Sequence, residues 1–211
     1  MRQILPVLIA LSISSAVSAE ELYTEFPTVI NSDERYVFYS HGLIVEGDDP
    51  RPEHPEFGIY EFPEIKQTLF DGGGFNLIAQ QRPKNTDIAS YVEQLVSWVN
   101  TLIEAGVKPA KITLVGFSRG GQLTAFASSR LKSTGINTAI MAICLNGDFG
   151  VDPLPSFGGN VLSIYETSDV AQSCKLLLDR SVDAMSTKEI VISTEKNTGL
   201  FLSRCKNGCS H

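Results

Sequence analysis

The sequence predicts an α/β protein, a mostly parallel sheet with helices on both faces. Two observations carry that reading. Short apolar, β-branched runs alternate with longer segments whose apolar residues fall at helical spacing, the pattern of successive β-α-β units. Polar residues of catalytic type fall just after those runs, where open parallel sheets place their ligands.

The first nineteen residues are expected to lie outside that fold. Met1-Arg2 is a short positive region, residues 4–13 are mostly apolar, and residues 14–19 are small, with Val17 and Ala19 where a signal peptidase reads. The apolar run is too short to span a bilayer. A cleaved signal peptide over 1–19 and a single domain over 20–211 follow. The mature protein is expected to be secreted or periplasmic, with no membrane attachment after cleavage.

Arg35 to Ser40 is aromatic and β-branched, a strand ending at His41-Gly42. Glu46 to Glu56 is acidic and proline-rich, a surface loop on which His54 is expected to be exposed. Pro63 can open a helix that runs through Ile65 and Leu69-Phe70 and stops at Asp71 and three glycines. Phe75 to Ala79 is a second strand, followed by Gln81-Arg82. Thr86-Asp87 can cap a long helix whose apolar positions run from Ile88 to Ile103, with Gly106 ending it. Lys111 to Val115 is a third strand and residues 122–131 are helical in composition. Residues 139–145 and 160–165 read as buried strands, 170–185 as a helix and 189–193 as a last strand. There is no internal repeat and no interdomain linker.

A net charge of −7 argues against a nucleic-acid partner, since phosphate binding needs a basic face. The four cysteines, at 144, 174, 205 and 209, are an even count that permits disulfides in an exported chain. Cys144 ends one strand and Cys174 opens the segment after its neighbour, so a Cys144–Cys174 bridge is expected, with two separate thiols as the alternative. The run Cys205-x-x-x-Cys209-x-His211 is too sparse for a tetrahedral metal site. No metal and no organic cofactor are implied.

The chemistry centres on LVGFSRGG, residues 114–121. Gly116-x-Ser118-x-Gly120 directly after an apolar strand suits a sharp strand-to-helix turn, because a Cβ at either glycine would clash with a neighbouring element. Such a turn exposes the Ser118 hydroxyl at a helix N-terminus, where the Arg119 amide can stabilise an oxyanion. The bland alternative is a glycine-rich turn with a capping serine.

These residues, with Ser40-His41-Gly42 and with Ser168-Asp169 after VLSIY, resemble the α/β-hydrolase superfamily over roughly residues 35–195. Within it, the layout HG…RPK…GxSxGG is similar to that of uncharacterised bacterial exported hydrolases. The resemblance implies Ser118 as nucleophile and the Leu43 and Arg119 amides as oxyanion hole. It makes His41-Gly42 the start of the oxyanion loop, with His41 orienting that loop; simple packing at a strand end is the alternative. Asp169 fits the acid that orients a histidine, with Asp148 and the weaker Asp152 as competitors. Arg82 could bind an anionic substrate group, although a surface salt bridge is preferred.

The superfamily places its histidine in the loop after the last strand, ahead of a closing helix, and the relatives that this layout resembles carry it close to a Thr-Gly motif. Here Thr198-Gly199 is followed by Leu200, Phe201 and Leu202, and the only histidine beyond the final strand is His211, the last residue. The fold is therefore expected to lack its final helix. In one reading the tail folds back, held by a Cys205–Cys209 link, and sets His211 against Ser118 and Asp169. In the other the terminus is altered and the base is absent. The implied activity is hydrolysis of a carboxylic ester or related acyl compound through an acyl-enzyme, with a small-molecule acyl substrate as partner. The alternative is a catalytically impaired protein on the same fold that binds a small ligand or partner.

Overall fold

The structure is a computed structural model that describes residues 20–145, 149–150 and 153–195. Residues 1–19, where a signal peptide is expected, Asp148, Asp152, and the tail with Cys205, Cys209 and His211 lie outside the described residues.

In chain order, β1 (Leu22–Tyr23) precedes β2 (Tyr36–Ser40), and the acidic loop contains a small hairpin of β3 (Glu53–His54) and β4 (Gly58–Ile59). Helix α1 (Phe62–Asp71), β5 (Asn76–Ile78) and α2 (Ile88–Glu104) follow, then β6 (Ile112–Phe117), α3 (Arg119–Arg130) and β7 (Asn137–Met141). The chain continues through β8 (Cys144–Leu145), β9 (Gly159–Glu166), β10 (Ala171–Gln172), α4 (Lys175–Arg180) and β11 (Ala184–Ile192). Seven strands form one sheet in the order β1-β5-β2-β6-β7-β9-β11. Every pairing in it is parallel. All carboxyl ends therefore lie along one edge, and the loops leaving β2, β5, β6 and β9 gather there.

Strand alternation explains the two faces. Tyr36 and Phe38 of β2, with Ile112 and Leu114 of β6, bury against α2 and α3. Val37, Tyr39, Val115 and Phe117 point to the opposite face, where α1 brings Phe62, Ile65 and Leu69. Helix α2 carries a continuous stripe of Tyr91, Leu95, Val99 and Leu102, each buried. Its start is fixed by Asp87, whose side chain accepts from the Ser90 amide at 2.9 Å. On the α1 face, Val115, Met141, Leu162 and Ile164 are only half-buried, while Leu114, Ile140 and Val161 on the other face are fully buried. Among the described residues α1 is the one helix on that face. The position of a closing helix falls beyond residue 195, outside the described residues.

Two expectations change. The helix over 170–185 shrinks to the six residues of α4. Ala171 and Gln172 instead pair antiparallel with β8, and the Glu189 carboxylate accepts from Ser173 Oγ at 2.6 Å and the Cys174 amide at 2.8 Å. At the other end Ala184 is recruited into the parallel ladder with β9. Tertiary pairing at both ends outweighs helix propensity. The strand over 139–145 also splits, because Ala142 takes φ 52° and gives its amide to the Ile164 carbonyl at 3.1 Å.

Candidate functional site

Ser118 sits between the last residue of β6 and the first of α3 with φ 51° and ψ −121°. That conformation costs a non-glycine residue about 1–3 kcal/mol and persists only where its surroundings impose it. The surroundings are three glycines. A Cβ on Gly116 would lie 2.4 Å from the Gly120 carbonyl oxygen and from Thr124 Oγ1. One on Gly120 would lie 2.0 Å from the Ser40 carbonyl oxygen, and one on Gly121 would lie 2.3 Å from Ile143 Cγ2. The motif thus lets α3 start in contact with the ends of β6 and β2. The Ser118 amide is committed to the Met141 carbonyl at 2.9 Å. Arg119 is the first residue of α3, and its amide belongs to the first turn, which has no intrahelical acceptor.

The facing wall is the loop after β2. His41-Gly42 leads into a 3-10 turn over Leu43–Val45, and the Leu43 side chain is 57% exposed at the mouth. Gln81 and Arg82, which leave β5 next door, clamp this loop. Gln81 Nε2 donates to the carbonyls of Val45 at 3.3 Å and Gly47 at 2.8 Å, and Gly47 returns its amide to the Arg82 carbonyl at 2.9 Å.

His41 is fully buried. Its Nε2 accepts from the Arg82 amide at 2.8 Å, so its proton resides on Nδ1, which donates to the Gly42 carbonyl at 2.8 Å. Burial, reinforced by the Arg82 charge, pushes the ring down to about 3 despite the Gly42 bond. His41 is a neutral brace with both nitrogens engaged, and it has no lone pair for a proton from Ser118.

Arg82 is corrected from a surface residue to the largest fully buried side chain. Its Nε pairs with Glu46 at 3.3 Å, Nη2 donates to the His41 carbonyl at 2.6 Å, and the guanidinium lies 5.2 Å from the centroid of Tyr91. It braces the loop after β2 from beneath and does not meet solvent.

His54 is also corrected. The β3–β4 hairpin brings it half-buried onto a cleft of about 180 Å³ with Leu43, Ile44, Phe57, Tyr60, Phe117 and Ser118. A second cleft, about 440 Å³ and more polar, lies on the other side of Leu43 and is lined by Glu46, Asn85, Thr86, Asp87 and Arg119. Leu43 separates the two.

Asp169 is 4% exposed, three residues past the end of β9, and its Oδ1 accepts from the Ala171 amide at 3.0 Å. It stands on the same carboxyl edge as Ser118, with β7 between their strands. The loop around it is fastened twice. Cys144 and Cys174 form a disulfide that closes the segment containing Asp169. Glu166, fully buried at the end of β9, accepts from the Ser168 amide at 2.7 Å and from Ser168 Oγ. Its other oxygen accepts from the amides of Thr194 at 2.8 Å and Glu195 at 3.0 Å, just past β11. Burial raises this carboxyl, but the four hydrogen bonds outweigh it and hold the group at about 2. Glu166 thereby ties the loop after β9 to the loop after β11. The sequence marks it only as an acidic residue at a strand end, one of several. His211, Asp148 and Asp152 lie outside the described residues.

No family model matches this sequence, and no curated protein is similar to it in sequence. Solved structures do match its fold. A structure of an arylesterase is 13% identical, with a TM-score of 0.53 over 78% of this chain and 69% of that one. An esterase/lipase from an uncultured bacterium is 13% identical, with a TM-score of 0.52 over 76% of this chain and 67% of that one. Est1E from Butyrivibrio proteoclasticus, solved with ferulic acid bound, is 11% identical, with a TM-score of 0.52 over 83% and 85%. The chain has the α/β-hydrolase fold.

Proposed function

We propose that, on this α/β-hydrolase fold, the protein is a serine hydrolase of carboxylic esters or related acyl compounds. The observation that carries the reading is the strained Ser118 backbone, held between three glycines that each touch a different part of the fold. A capping serine needs no such conformation, and Ser118 makes no side-chain cap bond. The esterases among the structural neighbours support the same class.

In this reading the Ser118 hydroxyl attacks the acyl carbonyl as a base takes its proton. The carbonyl electrons move onto oxygen, where the Leu43 and Arg119 amides receive the charge. Collapse expels the alcohol, which takes the proton back from the base. Water then repeats the cycle on the acyl-enzyme, releases the acid and restores Ser118. Asp169 orients the base. Of the three histidines, His41 is committed at both nitrogens, and His54 Nδ1 is occupied by backbone amides. His211 is left as the positional candidate. The disulfide supports an exported protein.

The commitment of both described histidines also favours a second reading, a protein that binds an acyl ligand without turning it over. Fluorophosphonate labelling, with Ser118→Ala as control, separates the two. The hydrolase reading expects labelling of the wild type, none of the variant, and turnover of short p-nitrophenyl esters. A folded wild type that neither labels nor turns over would sink it. Unchanged turnover in His211→Ala would remove His211 from the mechanism, because losing a triad histidine costs on the order of a millionfold.

A further inference from the structure

The small cleft beside Ser118 is mostly apolar among the described residues that line it. Leu43, Ile44, Phe57 and Phe117 supply carbon surface. The Tyr60 hydroxyl bonds the Tyr39 hydroxyl at 2.9 Å and accepts from the Gly42 amide at 3.3 Å, which anchors it against the loop after β2. Among the described lining residues the other polar side chains are the Ser118 hydroxyl and the His54 ring.

The state of that ring follows from its own loop. His54 Nδ1 accepts from the amides of Glu56 at 3.2 Å and Phe57 at 3.3 Å, and amides can only donate. The proton of the neutral ring is therefore on Nε2. Phe57 stacks on the ring at 4.5 Å between centroids and fixes its plane. No described residue hydrogen-bonds Nε2. The result is a donor held by its own loop and by Phe57, on the β3–β4 hairpin, at the wall of a mostly apolar cleft.

We infer that this cleft is a compact acyl subsite for groups of roughly aromatic-ring size carrying a hydrogen-bond acceptor, which His54 Nε2–H recognises. The word "acyl" rests on the hydrolase reading above; the subsite itself does not. The size follows from the volume: the cleft holds about 180 Å³, and an apolar cavity of about 150 Å³ accommodates benzene. The preference for an acceptor follows from desolvation, because a bare ring seated there strips water from the Nε2 proton and returns nothing. His54 is a specificity residue here and not a base.

The test uses the full protein and a matched pair of probes, toluene and 4-methylpyridine, at a pH where the pyridine nitrogen is unprotonated. They share shape, and only the second accepts a hydrogen bond. Binding is followed by NMR on protein labelled with nitrogen-15 at histidine. Expected are 4-methylpyridine binding about 3- to 10-fold tighter than toluene, a shift of the His54 Nε2 resonance with that probe only, and loss of the preference in His54→Phe. The His41 ring, sealed in the interior, serves as internal control. Equal affinities, an unmoved His54 resonance, or a preference that survives in His54→Phe would each overturn the inference. The wild-type resonance decides the matter even if the variant does not fold. Fluorophosphonate labelling of the same samples keeps the two claims apart. Labelled Ser118 without the preference removes the subsite and leaves the hydrolase; the preference without labelling does the reverse.

Discussion

Arg82 holds His41 from both ends: its backbone amide donates to Nε2 at 2.8 Å, and its guanidinium donates to the His41 carbonyl at 2.6 Å. The two residues lie just past the neighbouring strands β5 and β2, so the parallel ladder that aligns those strands also brings the pair together. One arginine thereby sets the tautomer of the histidine and the path of the loop that carries Leu43.

This arrangement makes stability depend on pH in a defined window. His41 is held at about 3 in the fold against 6.5 unfolded, so between those values the unfolded chain binds the extra proton. The stabilisation is fully present above about pH 6.5 and is lost as pH falls toward 3, on the order of 5 kcal/mol across the window. Glu166, depressed to about 2 from 4.5, adds a loss of the same sign only below about pH 4.5. Urea unfolding between pH 7 and pH 5 should therefore show a falling midpoint that flattens in His41→Gln. An equal slope in both proteins would remove His41 as the cause.

The Arg82–Glu46 pair is buried at both ends, with side chains 0% and 3% exposed. Glu46→Ala leaves the guanidinium charged and without its carboxylate, a loss expected to cost about 3–5 kcal/mol. Removing both charges with Arg82→Met and Glu46→Leu should recover much of that and leave the His41 carbonyl without its donor. Denaturant midpoints of the two variants check the order.

At the elbow, Gly120→Ala is expected to cost more than about 3 kcal/mol or prevent folding, because its Cβ would meet the Ser40 backbone, which has no rotamer to escape into. Gly135→Ala is the contrast. Nothing lies within 4 Å of that Cβ, and only φ +78° opposes it, at about 1–2 kcal/mol. Thermal unfolding of the two variants should separate them clearly.

Replacing both cysteines of the Cys144–Cys174 bridge by alanine opens a loop with a sequence separation of 30. The chain-entropy account puts the loss at about 3–4 kcal/mol. The expected signs are a lower thermal midpoint and earlier proteolysis near Asp169, read by limited digestion with the wild type alongside.

The order of strands and helices was legible in the sequence because periodicity is local: β2, β5, β6 and α2 lie where their apolar spacing puts them. Ser118 was legible for a related reason, since glycines at fixed offsets record a close approach that any Cβ forbids. What the tertiary structure decided is how polar residues far apart in sequence meet. Arg82 reads as a surface charge until β5 lies beside β2, which buries it against Glu46 and His41. His54 reads as part of an acidic loop until the β3–β4 hairpin turns it onto the Ser118 cleft, and Glu166 is one acid among many until the loops after β9 and β11 close around it. A side chain's local pattern states its type and period, whereas its protonation and partners depend on burial, which long-range packing alone sets.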